Sequence, residues 1–132
     1  MIVADANVLT YLLIPQPLTK KAERARSKEK IWVVPQVLPH ELLSVVMKYV
    51  RAGQISVDEA SRTFRRGLAM VEVSIIRIDP SAVLRLAERS GCSTYDCQYV
   101  WLANDLGLPL LTEDREVLQA FPEVAVNLDH FA

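Results

Sequence analysis

The sequence predicts an α/β domain, a parallel sheet with helices on both faces. Three observations lead there. Short apolar runs, several of them β-branched, alternate along the whole chain with segments whose apolar residues repeat at helical spacing. The first run, Ile2-Val-Ala4, passes directly into the helical stripe of Val8, Leu9, Leu12 and Leu13, with Asp5 at the junction. And at 132 residues, 51% hydrophobic and 23% charged, the chain can bury a substantial core as one domain, residues 1–132.

The elements follow in order. Asp5 suits the N-cap of the first helix, which Pro15 and Pro17 close. Residues 18–30 carry Lys20, Lys21, Arg24, Arg26, Lys28 and Lys30 against only Glu23 and Glu29. Such a run is ordinarily a solvated helix face, and a phosphate-contacting face is the alternative. Ile31-Trp-Val-Val34 reads as a second buried strand, stopped by Pro35. A long helix spans about residues 37–52. Leu38, Leu42, Val45, Val46, Tyr49 and Val50 make one apolar face, and Leu43 and Met47 widen it beyond one core contact. Glu41 lies near its start, where a helix favours negative charge. Gly53 suits the position after that helix. Ser56-Val-Asp-Glu59 is a capping box for a helix running to about Met70, with Arg62, Arg65 and Arg66 on its wet side.

Residues 73–78, rich in β-branched side chains, predict a third strand. Asp79-Pro80 opens a helix to about Arg89, and Ser93-Thr-Tyr-Asp96 opens another that ends at Gly107. On that last helix Asp96, Tyr99, Val100 and Ala103 share one stripe, whereas Asp105 lies on the opposite face. A carboxylate on an apolar stripe is costly unless it is paired, protonated or bound to metal. Leu108-Pro-Leu-Leu111 is a fourth strand, followed at once by Thr112-Glu-Asp114 and a short helix over residues 115–120. Val124-Ala-Val126 is the last strand.

Composition excludes several function classes. A net charge of −1 gives no global basic field for nucleic acid, so a polyanion would be held locally or through metal ions. No secretory leader and no membrane span is expected. Cys92 and Cys97, spaced C-x4-C, fit neither a zinc nor a thioredoxin pattern, and read as reduced packing residues of a cytoplasmic protein. His40 and His130 are isolated and make no ligand pattern.

In a parallel sheet every strand ends at the same edge. Asp5 and Asp114 each follow a strand, and Glu41 and Asp96 lie in the first turns of helices, so the topology aims all four at one crevice. Two unit charges about 4 Å apart repel by about 4 kcal/mol at an effective dielectric of roughly 20. Four carboxylates therefore need protons or divalent cations. An all-oxygen donor set suits Mg²⁺, with Mn²⁺ as substitute, rather than Zn²⁺. The chemistry that follows is metal-assisted phosphodiester cleavage.

The chain strongly resembles the PIN-domain nucleases, and within them the VapC-like ribonuclease toxins. The resemblance runs over nearly the full length. It is carried by Asp5-Ala-Asn7, by Glu41 within Pro39-His-Glu-Leu-Leu-Ser44, by Tyr95-Asp96, by Leu111-Thr-Glu-Asp-Arg-Glu-Val-Leu118, and by the link Arg51-Ala-Gly-Gln-Ile-Ser-Val-Asp-Glu-Ala60. It implies a three-layer α/β/α fold with a five-stranded parallel sheet in the order 3-2-1-4-5. It implies a catalytic, metal-binding quartet of Asp5, Glu41, Asp96 and Asp114, with Asn7 and Thr112 as polar supports for the carboxylates or metal waters. It also implies an RNA substrate, a homodimer, and a cognate VapB-like antitoxin whose tail fills the active-site groove, with DNA met only through that antitoxin. The surplus apolar face over residues 38–50 would be partner surface. Two positions depart from the pattern. Cys97 stands where a small Ala is more usual, and Glu116 stands where some members carry a further Asp and is left outside the core site. Two alternatives accompany this reading: a catalytically silent module working in a DNA-bound complex with its antitoxin, and an Asp-nucleophile phosphatase. The phosphatase would need an Asp where Asn7 stands.

Overall fold

Five strands form one all-parallel sheet in the order β3-β2-β1-β4-β5 in the computed structural model, which describes residues 1–131. The central strand, β1 (Ile2–Ala4), has no exposed residue. It pairs on one side with β2 (Trp32–Val34), also buried throughout, with Val3 opposite Val33, and on the other with β4 (Leu110–Leu111), with Ala4 opposite Leu111. Strands covered on both faces by helices lack an in/out alternation, which is why the sequence shows them as continuous apolar runs. β3 (Glu72–Val73) and β5 (Ala125–Val126) are the edges. The order is the one the resemblance implies, and it reverses between β1 and β4.

The helices are α1 (Ala6–Leu13), α2 (Thr19–Lys28), α3 (Leu38–Arg51), α4 (Val57–Ala69), α5 (Pro80–Ser90), α6 (Thr94–Leu106), α7 (Arg115–Ala120) and α8 (Leu128–Phe131). The cap residues read from the sequence do their work. Asp5, Ser56, Asp79, Ser93 and Asp114 each accept a backbone N–H from three residues ahead. Gly107 ends α6 at φ +66, a left-handed conformation that side chains with a Cβ resist, and so turns the chain toward β4.

Two findings depart from the expectations. The third strand spans Glu72–Val73 instead of residues 73–78. Its partner β2 ends at Val34 before Pro35, so after Ser74 donates to Val34 O at 2.8 Å there is no strand left to pair with, and Ile75 stands 91% exposed despite its β propensity. The short helix α8 follows the last strand unannounced. Asn127 Oδ1, accepting from His130 N at 2.9 Å, starts it. The basic run on α2 stays a largely solvated face, with Lys20, Arg24 and Lys28 all exposed, and some of its cations meet neighbouring groups at that surface. Ala22 and Ala25 are buried, Lys21 pairs with Asp129 at 2.7 Å, Lys28 Nζ donates to Phe131 O at 2.7 Å, and the Arg26 guanidinium lies 5.3 Å from the Trp32 ring centroid. Of the long helix α3, Leu38, Leu42 and Val46 enter the core while Leu43 is 51% exposed, as a face wider than the core requires. Among the described residues no helix is long and apolar enough to cross a membrane.

Candidate active site

Asp5 leaves β1 exactly where α1 begins, and both its oxygens are engaged. Oδ1 accepts from Val8 N at 2.8 Å and Oδ2 from Thr112 Oγ1 at 2.5 Å. Thr112, buried at the end of β4, also accepts from Asp114 N at 3.1 Å through the same oxygen. One hydroxyl therefore ties together the ends of the two strands that flank the reversal in strand order. Burial pushes the Asp5 carboxyl up from 3.8 to about 6. The bonds from Thr112 and Val8 oppose the rise, and the charges of Asp96 and Glu41 add to it.

The other acids arrive from neighbouring elements. Glu41 projects from the first turn of α3, and its Oε1 is buried with no hydrogen-bond partner. Burial raises its pKa and the charge of Asp96 raises it further. The adjacent Tyr99 hydroxyl favours the ionised form, although the pair as placed does not meet hydrogen-bond geometry. Asp96, in the first turn of α6, is raised by burial, lowered by Ser93, and raised by the charges of Asp114 and Glu116. Asp114 is exposed, its Oδ1 capping α7 through Val117 N at 3.1 Å. Asp96 is the electrostatic hub, felt at Asp5 and at Glu41 and itself feeling Asp114.

Beside the acids lies a cleft of about 440 Å³, lined among others by Asn7, His40, Glu41, Ser44, Lys48 and Tyr95. A second recess of about 260 Å³ shares Asn7, Val45 and Lys48 with it and extends to Tyr49 and Gln54. The crevice thus has an acidic end and an arm bearing a cation and two tyrosines.

A model of the PIN domain matches residues 2–126. The chain belongs to the PIN-domain family. It is 31% identical over 127 residues to Ribonuclease VapC3 of Pyrobaculum aerophilum, covering 92% of this chain and 95% of that protein. Exonuclease VapC9 of the same organism is 32% identical over 95 residues, covering 70% of this chain and 68% of its own. The crystal structure of PAE2754, again from Pyrobaculum aerophilum, superposes with a TM-score of 0.76 at 26% identity, covering 98% of this chain and 91% of that one. A toxin–antitoxin complex from Klebsiella pneumoniae contains the same fold, with a TM-score of 0.70 at 17% identity and coverage of 97% and 98%.

In this PIN domain Asp5, Glu41, Asp96 and Asp114 share one electrostatic neighbourhood, and Thr112 bonds directly to Asp5. Asn7 differs from expectation. It is exposed on the cleft wall and, among the described residues, makes no side-chain hydrogen bond to any of the four carboxylates. Its place one residue into α1, facing the crevice, leaves it free for water or ligand. Glu113, between the two motif residues, turns away to accept from Leu128 N at 2.8 Å. Among the described residues no three Asp, Glu, His or Cys side chains close into a ready-made metal cage. The donor set nevertheless fits a hard cation that keeps some of its waters. The donors are all carboxylate oxygens, three of them are pushed toward protonation without a positive partner, and Glu41 Oε1 is an orphan. Two residues near the site lie outside the core site that the sequence reading drew. Tyr99 looked like an ordinary member of an apolar stripe, and Glu116 was set aside, yet each influences a quartet carboxylate. The i, i+3 spacing of Asp96 and Tyr99 was the available signal for the tyrosine.

Proposed function

We propose that this protein is the toxin of a toxin–antitoxin pair and acts as a metal-dependent endoribonuclease, hydrolysing RNA phosphodiester bonds. The observation that carries the reading is the convergence of Asp5, Glu41, Asp96 and Asp114 on one edge of the sheet, with no cation of the protein among the groups that shift them. Likeness to Ribonuclease VapC3 over nearly the whole chain supports the substrate class. Asp5, Glu41, Asp96 and Asp114 would hold Mg²⁺, or Mn²⁺ in its place. When bound, such an ion supplies a more acidic water and offsets charge gathering on the phosphate. The protein's own contribution is placement. Thr112 and the start of α1 hold Asp5 in one orientation, and Thr112 fixes the Asp114 loop against it. Lys48 and Asn7 on the cleft wall offer donors to a phosphate that the acids alone would repel.

The same reading gives the chain a cognate VapB-like antitoxin that covers the crevice, a homodimer built partly on the exposed side of α3 around Leu43, a cytoplasmic setting, and contact with DNA only through the antitoxin. The deciding experiment is cleavage of a structured RNA with Mg²⁺ or Mn²⁺, with and without EDTA. Internal fragments formed only with the ion are the expected result. Stepwise release of mononucleotides would make it an exonuclease instead. A folded protein inert toward RNA under every ion, yet still bound by its antitoxin, would return it to a regulatory module.

A further inference from the structure

Tyr99 lies on α6, one turn after Asp96, and is 2% exposed. A buried tyrosine normally spends its hydroxyl on a partner, because leaving the group unpaired costs about 1–3 kcal/mol. Here the hydroxyl has none. Its surroundings are unusual for such an orphan, since Glu41, Asp5 and Asp96 all act on it, Glu41 most strongly of the three. Glu41 Oε1 is the matching orphan, an acceptor buried without a donor. Glu41 also lines the cleft, so its carboxylate has one oxygen toward the interior and an open side toward the crevice. A neutral donor at this place can steady a carboxylate without cancelling the negative charge a cation needs, which a lysine could not do.

We propose that Tyr99 is a positioning residue of the acid site, its hydroxyl donating to Glu41 Oε1 so that the rest of the carboxylate faces the crevice and its cation. The inference rests on the cation reading above. The two orphan groups lie near each other without a hydrogen bond, and the bond is assigned to the protein with its cation bound. A hydrogen bond between the two would satisfy both orphans together.

The test is a double-mutant cycle on Mn²⁺ binding by the whole protein without RNA, reading free Mn²⁺ by its paramagnetic resonance signal. Tyr99→Phe keeps the ring and removes only a hydroxyl that has no partner, so melting in EDTA should be unchanged or higher. Its Mn²⁺ dissociation constant should rise about 10-fold to 100-fold. Raising Mn²⁺ should restore most of the lost RNA cleavage. Glu41→Ala alone should also weaken Mn²⁺ binding, and adding Tyr99→Phe to it should cause no further loss, because the tyrosine acts through the glutamate. Wild-type Mn²⁺ affinity in Tyr99→Phe would overturn the positioning role and leave the cation reading standing. An equal further loss in the Glu41→Ala background would also overturn it, by routing the hydroxyl to Asp5 or Asp96. A collapse of Tyr99→Phe in EDTA would overturn it too, by making the hydroxyl a support of the metal-free fold. If the wild type binds no Mn²⁺, the cation reading falls and takes this one with it.

Discussion

Asp96 separates the structural and functional accounts of a carboxylate most sharply. Its backbone N–H, not its side chain, completes the Ser93 cap at 3.0 Å, so an amide at this position leaves the helix start intact. Asp96→Asn should therefore fold, lose ion-dependent RNA cleavage, and in EDTA melt at or above the wild type, since it removes the charge that presses on both Asp5 and Glu41. Full cleavage by the mutant in a chelator-controlled assay would end its catalytic assignment. Asp5 gives a pH prediction. With its carboxyl raised to about 6, the folded protein keeps a proton that the unfolded chain releases near 3.8. Metal-free stability should then fall as pH rises between those values, by up to roughly 3 kcal/mol from Asp5 alone, with Glu41 and Asp96 shifting in the same direction. Glu29 and Asp129, lowered by bonding to the Met1 amino group and to Lys21, act in the opposite sense, but only below their ordinary values of 4.5 and 3.8. Thermal melts in EDTA across that interval check the slope, and a rising melting temperature would contradict it.

At the scale of elements, α4 shows how closely the helices are set. A Cβ on Gly67 would lie 2.9 Å from Leu13 Cδ1 and 3.0 Å from Leu42 Cδ2, so α4 meets α1 and α3 through a position that only glycine fits without displacement. Gly→Ala within a helix is ordinarily worth about 0.5–1 kcal/mol of stability. Gly67→Ala should forfeit that gain as the two leucine tips move aside. Gly67→Val should cost about 1–3 kcal/mol through overpacking. Urea unfolding of both variants measures the difference, and a clear gain in Gly67→Ala would show the contact to be slack. Helix α2 allows a second test. Lys21 and Lys28 are occupied by the C-terminal helix, whereas Lys20 and Arg24 remain exposed. Reversing Lys20 and Arg24 to Glu should weaken RNA binding and flatten its salt dependence if that face meets phosphates. An unchanged salt slope would mark the run as a solvated face.

For the whole molecule, the four acids make the metal-free protein self-repelling at one edge, and any ion that binds only the folded state should raise its stability. Millimolar Mn²⁺ should increase the melting temperature of the wild type above pH 6, where Asp5 is largely ionised, and much less that of Asp96→Asn. Stabilisation by Zn²⁺ alone would contradict an all-oxygen site. The half-exposed Leu43 on α3 gives the assembly prediction. Light scattering should show a dimer that Leu43→Glu dissociates. A wild-type monomer at high micromolar concentration would leave the antitoxin as the partner for that face.

Much of the architecture was settled by local chemistry. Apolar runs marked β1, β2 and β4, and Asp5, Ser56, Asp79, Ser93 and Asp114 marked five helix starts, because a capping bond reaches only three residues along the chain. The same local grammar put four acids at strand ends and first turns, so their convergence followed once the sheet was parallel. Tertiary structure alone decided what depends on distant partners. The third strand is short because its neighbour stops at Pro35, a limit that no propensity within residues 73–78 contains. Lys21 and Lys28, while staying on the solvated face, bond to a C-terminal helix about a hundred residues away. Thr112 meets Asp5 across 107 positions, and Tyr99 comes near Glu41 of α3, 58 positions earlier, only through the tertiary fold. A hydroxyl among apolar neighbours reads as core in one dimension, and its meaning depends on which carboxylate the fold sets in front of it.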